Sequence, residues 1–407
     1  MTEITRLANG LTVITVPLPG IETAAVGLHF DSGSRHEPDA VNGVAHMVEH
    51  MVFKGTATRS AKRIAEEIED VGGQLNAYTS RDTTVFHARV LRADVDLATA
   101  MIADLVIAPT LDGQDFDKER QVVLQELGEA IDTPDDIIHD HLQLAAYEGQ
   151  AIGRSILGTA DSIGALTADD CRNWIAGKLT GGGAVLSAAG AVEHEAMVAL
   201  AEGVLGRLAP SACAVPPPSP RFTGGKHADK RKFEQAHLTL GWEGPAVTHP
   251  DQTAMQLFTS AVGGGMSSRL FQELREERGL AYSIWANHTP FADTGLFTVY
   301  LACAPVEAAR ANDLVREVMA ATAADLSEAE LARARAQLKA GLLMSLEGAG
   351  GWADYSARQW MTRGRVAAPA EIVARIDATG VDQVRAAATA MLAREPARAT
   401  VGVRRAI

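Results

Sequence analysis

The feature that most limits how this chain can fold is a break at residues 208–226, LAPSACAVPPPSPRFTGGK, where five prolines and a Gly-Gly pair interrupt otherwise periodic sequence. Proline lacks an amide hydrogen and fixes its own φ angle, so such a stretch sustains neither a helix interior nor a sheet ladder. It reads as a linker over 211–226 that joins a lobe spanning 1–210 to a second spanning 227–407. The full length of 407 residues is more than a single hydrophobic core usually serves, and each half falls in the ordinary domain range. With 47% hydrophobic and 22% charged residues, the chain has material for two such cores.

Thirty-seven basic residues against 51 acidic give a net charge of −14, which argues against a phosphate-backbone binder and favours basic or neutral partners. Nucleic acid is not an expected partner. No apolar run reaches the roughly 20 residues that span a bilayer, so a membrane is not expected either. Cys171, Cys213 and Cys303 are odd in number, widely spaced and form no CxxC pair, which points away from a disulfide framework and toward a reducing, cytoplasmic setting. The opening MTEITRLANGLTVITV has no export-signal pattern; Asn9-Gly10 followed by alternating Leu11, Val13 and Thr15 predicts a turn and a strand.

Patterning predicts an α+β fold in both lobes. In the first, extended segments near 11–17 and 23–31 precede a helix over about 41–54 and a second helix capped by Ser60 and ended by Gly72-Gly73. Strands follow at 74–80 and 83–91, then helices near 94–107, 113–131 and 135–148, a helix opened by a Thr167/Asp170 capping box, a strand at 184–189 and a helix at 193–206. The second lobe repeats the flavour, with strands at 235–242, 281–288, 294–302 and 398–403 and helices between them, including one over 267–278. Adjacent antiparallel-looking strands indicate mixed or antiparallel sheets with flanking helices, and the lobes are candidate structural repeats.

Chemistry concentrates in His46-Met47-Val48-Glu49-His50. On a helix the two imidazoles lie on one face, about 6 Å apart along the axis, a spacing at which both reach one Zn²⁺. Glu49 overhangs the same face, where a carboxylate can take a proton from water at the metal. H-x-x-E-H is the inverted zinc-peptidase pattern. A third ligand is required, and helix 113–131 offers Glu119 and Glu126, seven apart and so on nearly one face. His139 and His141, two apart on a helix, face apart and read as solvated, while Trp285, Trp352 and Trp360 suit a core or an interface.

With Glu126 lying 76 residues beyond His50, the chain resembles the pitrilysin-type zinc peptidases, in particular the shorter subunits related to mitochondrial processing peptidase. The resemblance runs through LANGLTVI, DSGSRHEP, GVAHMVEHMVFKGT, GGQLNAYTSRDTT, the glutamate helix and IGRSILGT. It implies one Zn²⁺ per chain held by His46, His50 and Glu126, Glu49 as general base, and Glu119 as an acidic support of the metal centre. It further implies that Asn76, Ala77 and Tyr78 form an edge strand that pairs with a peptide substrate, and that Arg275 and Tyr282 reach the scissile bond from the opposite half of the enclosure. Because full-length members join four such lobes, the resemblance implies a clam-like dimer, with a homodimer the simpler form and a heterodimer the alternative. Val262-Gly263-Gly264-Gly265-Met266 is shorter than the glycine-rich loop of the processing peptidase's noncatalytic partner, which favours degradation of short unfolded peptides over presequence processing. A noncatalytic scaffold, as in a respiratory-complex core subunit, is the rival from another class, and such subunits typically lose the metal set.

Overall fold

A computed structural model describes residues 2–210 and 218–403; the part of the expected linker at 211–217, with Cys213, lies outside the described residues. Among the described residues, eleven strands form two sheets. β1 (Glu3–Arg6), β2 (Thr12–Pro17), β3 (Thr23–Phe30), β4 (Gln74–Thr79), β5 (Thr84–Leu91) and β6 (Ala184–Gly190) are ordered β1-β2-β6-β3-β5-β4. β7 (Lys226–Asp229), β8 (Ala236–Gly244), β9 (Ala281–Pro290), β10 (Gly295–Cys303) and β11 (Ala397–Val401) are ordered β7-β11-β8-β10-β9.

Apart from β1, the two sheets share one plan. In each, the opening strand runs parallel to the closing one, as β2 does to β6 and β7 to β11. The remaining neighbours are antiparallel, and the middle strand of the sequence, β4 or β9, ends at the open edge. The expected mixed sheets are present and the repeat of lobe architecture is plain in strand order, although sequence similarity between the halves is weak.

Central strands are buried on both faces: β3 at every position after Thr23 and β10 throughout. A strand hidden on both sides needs a helical layer on each, and part of that cover comes from far away in the chain. Helix Ala349–Arg363 lies against β3 and β6, while helix Pro134–Ala146 lies against β8 and β11. The compact units are therefore not two contiguous halves. One takes in Met1–Leu127, Ser155–Pro217 and Met344–Val366, and the other Gly128–Arg154, Pro218–Leu343 and Ala367–Ile407.

Most predicted elements stand within a residue or three of their expected bounds, with the predicted caps in place. Ser60 accepts from the Arg63 amide, and Thr167 and Asp170 cap each other reciprocally. Three segments differ. The short strands β1 and β7 lacked an apolar signal because they are largely exposed. The segment expected as an α-helix over 267–278 is π-wound at Phe271–Glu276 and closes at Gly279, whose φ of +59° favours glycine. His139 and His141 are half-buried rather than solvated, packed on Trp285 and His227 respectively. No helix among the described residues is long and apolar enough to cross a membrane.

His288 on β9 is 8% exposed, and burial holds its imidazole down to about 4 against a smaller opposing pull from Pro245. The unfolded chain thus takes up this proton first on acidification. The stability His288 contributes is full above about pH 6.5 and is lost as pH falls toward 4, by about 2 kcal/mol at pH 5. In denaturant titrations at pH 7 and pH 5, His288→Gln should shrink the stability difference between the two pH values by that amount. An unchanged difference would exclude this residue as a source of acid sensitivity.

Candidate metal centre

Helix Val44–Val52 is driven into the first core by Val44, Ala45, Met47, Val48, Met51 and Val52, all buried. Its start is fixed by a residue not assigned a role from sequence. Glu37, 4% exposed, accepts from the Gly43 amide and the Asn42 side chain through Oε2 at 2.9 and 2.8 Å, and from the Ala45 amide through Oε1 at 2.8 Å. A carboxylate against free amides at a helix N-terminus is favoured by hydrogen bonding and by the helix dipole. Gly43 has φ +96°, and a Cβ there would lie 2.8 Å from the Leu157 carbonyl oxygen, so the chain can turn into the helix at this point only without a side chain.

Helix Gly113–Asp132 buries Phe116, Glu119, Val123 and Leu127, three or four residues apart. Glu119 belongs to that inward face, and Glu126, two turns on, sits at its margin with its side chain 44% exposed. His46 Nε2 and His50 Nε2 lie 3.7 and 3.4 Å from Glu126 Oε2. One ligand atom from each of the three residues falls within 4.8 Å of the others, the only such cluster of metal-binding side chains among the described residues.

The chemistry of this donor set fits zinc. Ligands at bond lengths near 2.0–2.1 Å around a tetrahedral ion stand about 3.4 Å apart, whereas 3.7 Å is too long for a direct hydrogen bond. Burial, with a lesser contribution from His50, holds His46 down to about 4; it is therefore neutral near pH 7, the form in which imidazole ligates a metal. His50 Nδ1 donates to Glu119 Oε2 at 3.2 Å, and Lys54 Nζ lies 2.7 Å from Glu119 Oε1. That contact sets the tautomer and leaves the His50 Nε2 lone pair facing Glu126.

Glu49 sits within the electrostatic reach of both His50 and Glu126, and burial raises its carboxyl above the ordinary carboxylate range. Its Oε2 is buried without a hydrogen-bond partner among the described residues. A raised carboxyl with an unengaged oxygen is suited to taking up a proton and giving it back.

The first unit thus gathers His46, His50, Glu126, Glu49 and Glu119. The helix Val44–Val52 also runs beside β4, the open edge of its sheet. On β4, Asn76 and Tyr78 are exposed and Ala77 is buried. Asn76 Oδ1 accepts from the Ala77 amide at 2.8 Å, and the Tyr78 hydroxyl donates to Asp354 at 3.4 Å. Arg275 and Tyr282 belong to the second unit. Arg275 lies over the Phe271 ring at 4.9 Å, and Tyr282, 60% exposed, is the second residue of the open edge strand β9. Lys54 and Asp354 were not anticipated: Lys54 lies in the GVAHMVEHMVFKGT run but outside the metal-ligand pattern HMVEH, and Asp354 lies in none of the quoted segments.

Residues 12–160 match the family described as insulinase (peptidase family M16), and residues 165–338 match the one described as the peptidase M16 inactive domain. A protein of Mycobacterium leprae named an uncharacterized zinc protease is 37% identical over 98% of this chain and 91% of its own. A Bacillus subtilis protein likewise named a zinc protease is 32% identical over 97% of this chain and 96% of its own. The chain belongs to the insulinase family of peptidases. A structure titled as a peptidase M16 inactive domain from Pseudomonas fluorescens has the same fold, with a TM-score of 0.92 at 22% identity over 100% of this chain and 98% of that one. So does a protease from Helicobacter pylori, with a TM-score of 0.90 at 22% identity over 98% of this chain and 99% of that one.

If Glu119 orients a ligand imidazole, Glu119→Ala should weaken zinc binding about 10- to 100-fold in competition with a chromophoric chelator while the far-ultraviolet circular dichroism stays that of the parent. Zinc affinity equal to the parent's would show that the carboxylate only neutralises Lys54.

Proposed function

We propose that this family member is a zinc-dependent endopeptidase that hydrolyses short unfolded peptides, with His46, His50 and Glu126 holding the metal and Glu49 as general base. The observation that carries the reading is the approach of Glu126, from a helix distant in sequence, to the Nε2 atoms of both histidines. Zinc at three protein ligands supplies a Lewis acid with a position left for solvent, where the pKa of water falls toward neutrality.

The chain's own groups then do the following. Glu49 takes the proton of the attacking water as the new C–O bond forms at the peptide carbonyl, and delivers it to the nitrogen as the C–N bond breaks. The open edge of β4 supports pairing of a substrate backbone along Asn76, Ala77 and Tyr78, which holds peptides without regard to side-chain identity. Arg275 and Tyr282 donate hydrogen bonds to the developing oxyanion, and we infer that they come from the partner copy in a clam-like homodimer. The charge of −14 favours basic peptides. Cys171 and Cys303, both free and buried, support a reducing setting, and we place the protein in the cytoplasm. A purely structural role has no observation in its favour, since the ligand set is complete.

Glu49→Gln should keep one zinc per chain by elemental analysis and lose turnover of an unstructured peptide by about 10²- to 10⁴-fold; parent-like turnover would remove Glu49 from the chemistry. For the dimer, a His46→Ala chain mixed with an Arg275→Ala/Tyr282→Phe chain should recover activity that neither has alone. Recovery supports donation between copies, and its absence, with mixed dimers confirmed by mass, contradicts it.

A further inference from the structure

The histidine helix carries a third basic residue in the same register. Past Val52 the chain keeps its helical sense, with Phe53 at φ −80° and ψ −7° and the Lys54 amide donating to the Met51 carbonyl at 3.1 Å. Lys54 therefore follows His50 as His50 follows His46, four residues and about 6 Å further along one side of the helix. Opposite this row stand Glu119 and Glu126, seven residues apart on helix Gly113–Asp132. The two rows interlock. Glu126 Oε2 lies 3.7 and 3.4 Å from the Nε2 atoms of His46 and His50. Glu119 fills the next gap, with Oε2 3.2 Å from His50 Nδ1 and Oε1 2.7 Å from Lys54 Nζ.

The Glu119 side chain is only 9% exposed, so both of its oxygens need partners from the protein. Lys54 is its sole cationic partner besides His50 among the described residues, and Lys54 in turn pairs with no other carboxylate there. By taking Oε1, the ammonium leaves Oε2 to the imidazole and fixes the rotation of the carboxylate. A Glu119 without this contact is free to turn its unpaired oxygen toward water and to let go of His50.

Two effects of the ammonium on a dication at this site have opposite signs. Its charge repels the ion, so Coulomb's law alone makes zinc bind more tightly once the charge is removed. Its grip on Glu119 orients a ligand, so the same removal loosens zinc. The Lys54 side chain is 36% exposed and acts from beyond a carboxylate, where solvent weakens the repulsion and leaves orientation the larger effect. We propose that Lys54 is a positioning residue of the metal centre, locking the Glu119 carboxylate in the rotation that holds His50 for zinc. The proposal deepens the function given above and rests on its ligand set, not on the reaction that set performs.

The test is zinc affinity of the full chain in competition with a chromophoric chelator, with far-ultraviolet circular dichroism as the check on folding. Lys54→Met should bind zinc about tenfold more weakly than the parent. In a Glu119→Ala background the same substitution should weaken binding no further, because Lys54 then has nothing to hold. Lys54→Gln, a polar replacement at a part-exposed position, carries the same expectation and serves if the methionine variant misfolds. Zinc binding as tight as the parent's or tighter in a folded Lys54 variant would overturn the proposal, and so would an equal loss in both backgrounds. A parent whose zinc survives His46→Ala would sink the ligand set and the role of Lys54 with it. A parent that shows these dependences yet cleaves no peptide would leave Lys54 in its role and sink the peptidase reading instead.

Discussion

The functional region depends on one packing relation, the seating of helix Gly113–Asp132 so that two of its glutamates meet the buried helix Val44–Val52. Glu119 faces inward with the apolar stripe of its helix and grips His50 and Lys54; Glu126, seven residues on, is thereby carried to the two imidazoles. Without Glu119 on the inward face, Glu126 would remain one more half-exposed helical carboxylate. The same buried surroundings keep His46 neutral and raise the Glu49 carboxyl, so the proposed ligand and the proposed base are shifted in opposite directions by a single cause, desolvation.

The helix that bears the histidines is held equally firmly at its start. Glu37 closes on amides at Gly43 and Ala45 from a buried position, and Gly43 supplies the left-handed turn that the Leu157 carbonyl would forbid to any other residue. The segments DSGSRHEP and IGRSILGT, which flank the site in the chain without donating to it, therefore act through backbone geometry. Asn42 shows this directly, binding Glu37 on one side and the Ser155 carbonyl on the other.

Repetition of one sheet plan in both units has left them with different contents. The first holds the His46, His50 and Glu126 cluster that could bind a metal ion and presents its edge strand β4 beside the histidine helix. The second has no such cluster among its described residues, and offers Arg275 and Tyr282. Equal scaffolds with unequal chemistry are what a fold provides when function resides in side chains placed upon it.

Local signals in the sequence were sufficient for the elements themselves. Helical spacing, the Ser60 and Thr167 caps and the Gly72-Gly73 stop act within a few residues, and HMVEH fixes its own geometry because helical rise alone sets the separation of the two rings. Weak or exposed strands such as β1 and β7, and the π-winding at Phe271–Glu276, left no comparable trace. Tertiary structure alone decided which helix covers which sheet, since Ala349–Arg363 and Pro134–Ala146 each cross to the sheet formed by the other half of the chain. It also decided the Glu37 cap, the Lys54–Glu119–His50 chain and the stacking of His139 on Trp285. These are contacts between segments far apart in sequence, set by the burial of complementary surfaces, and periodicity along a chain carries no record of what its faces will meet.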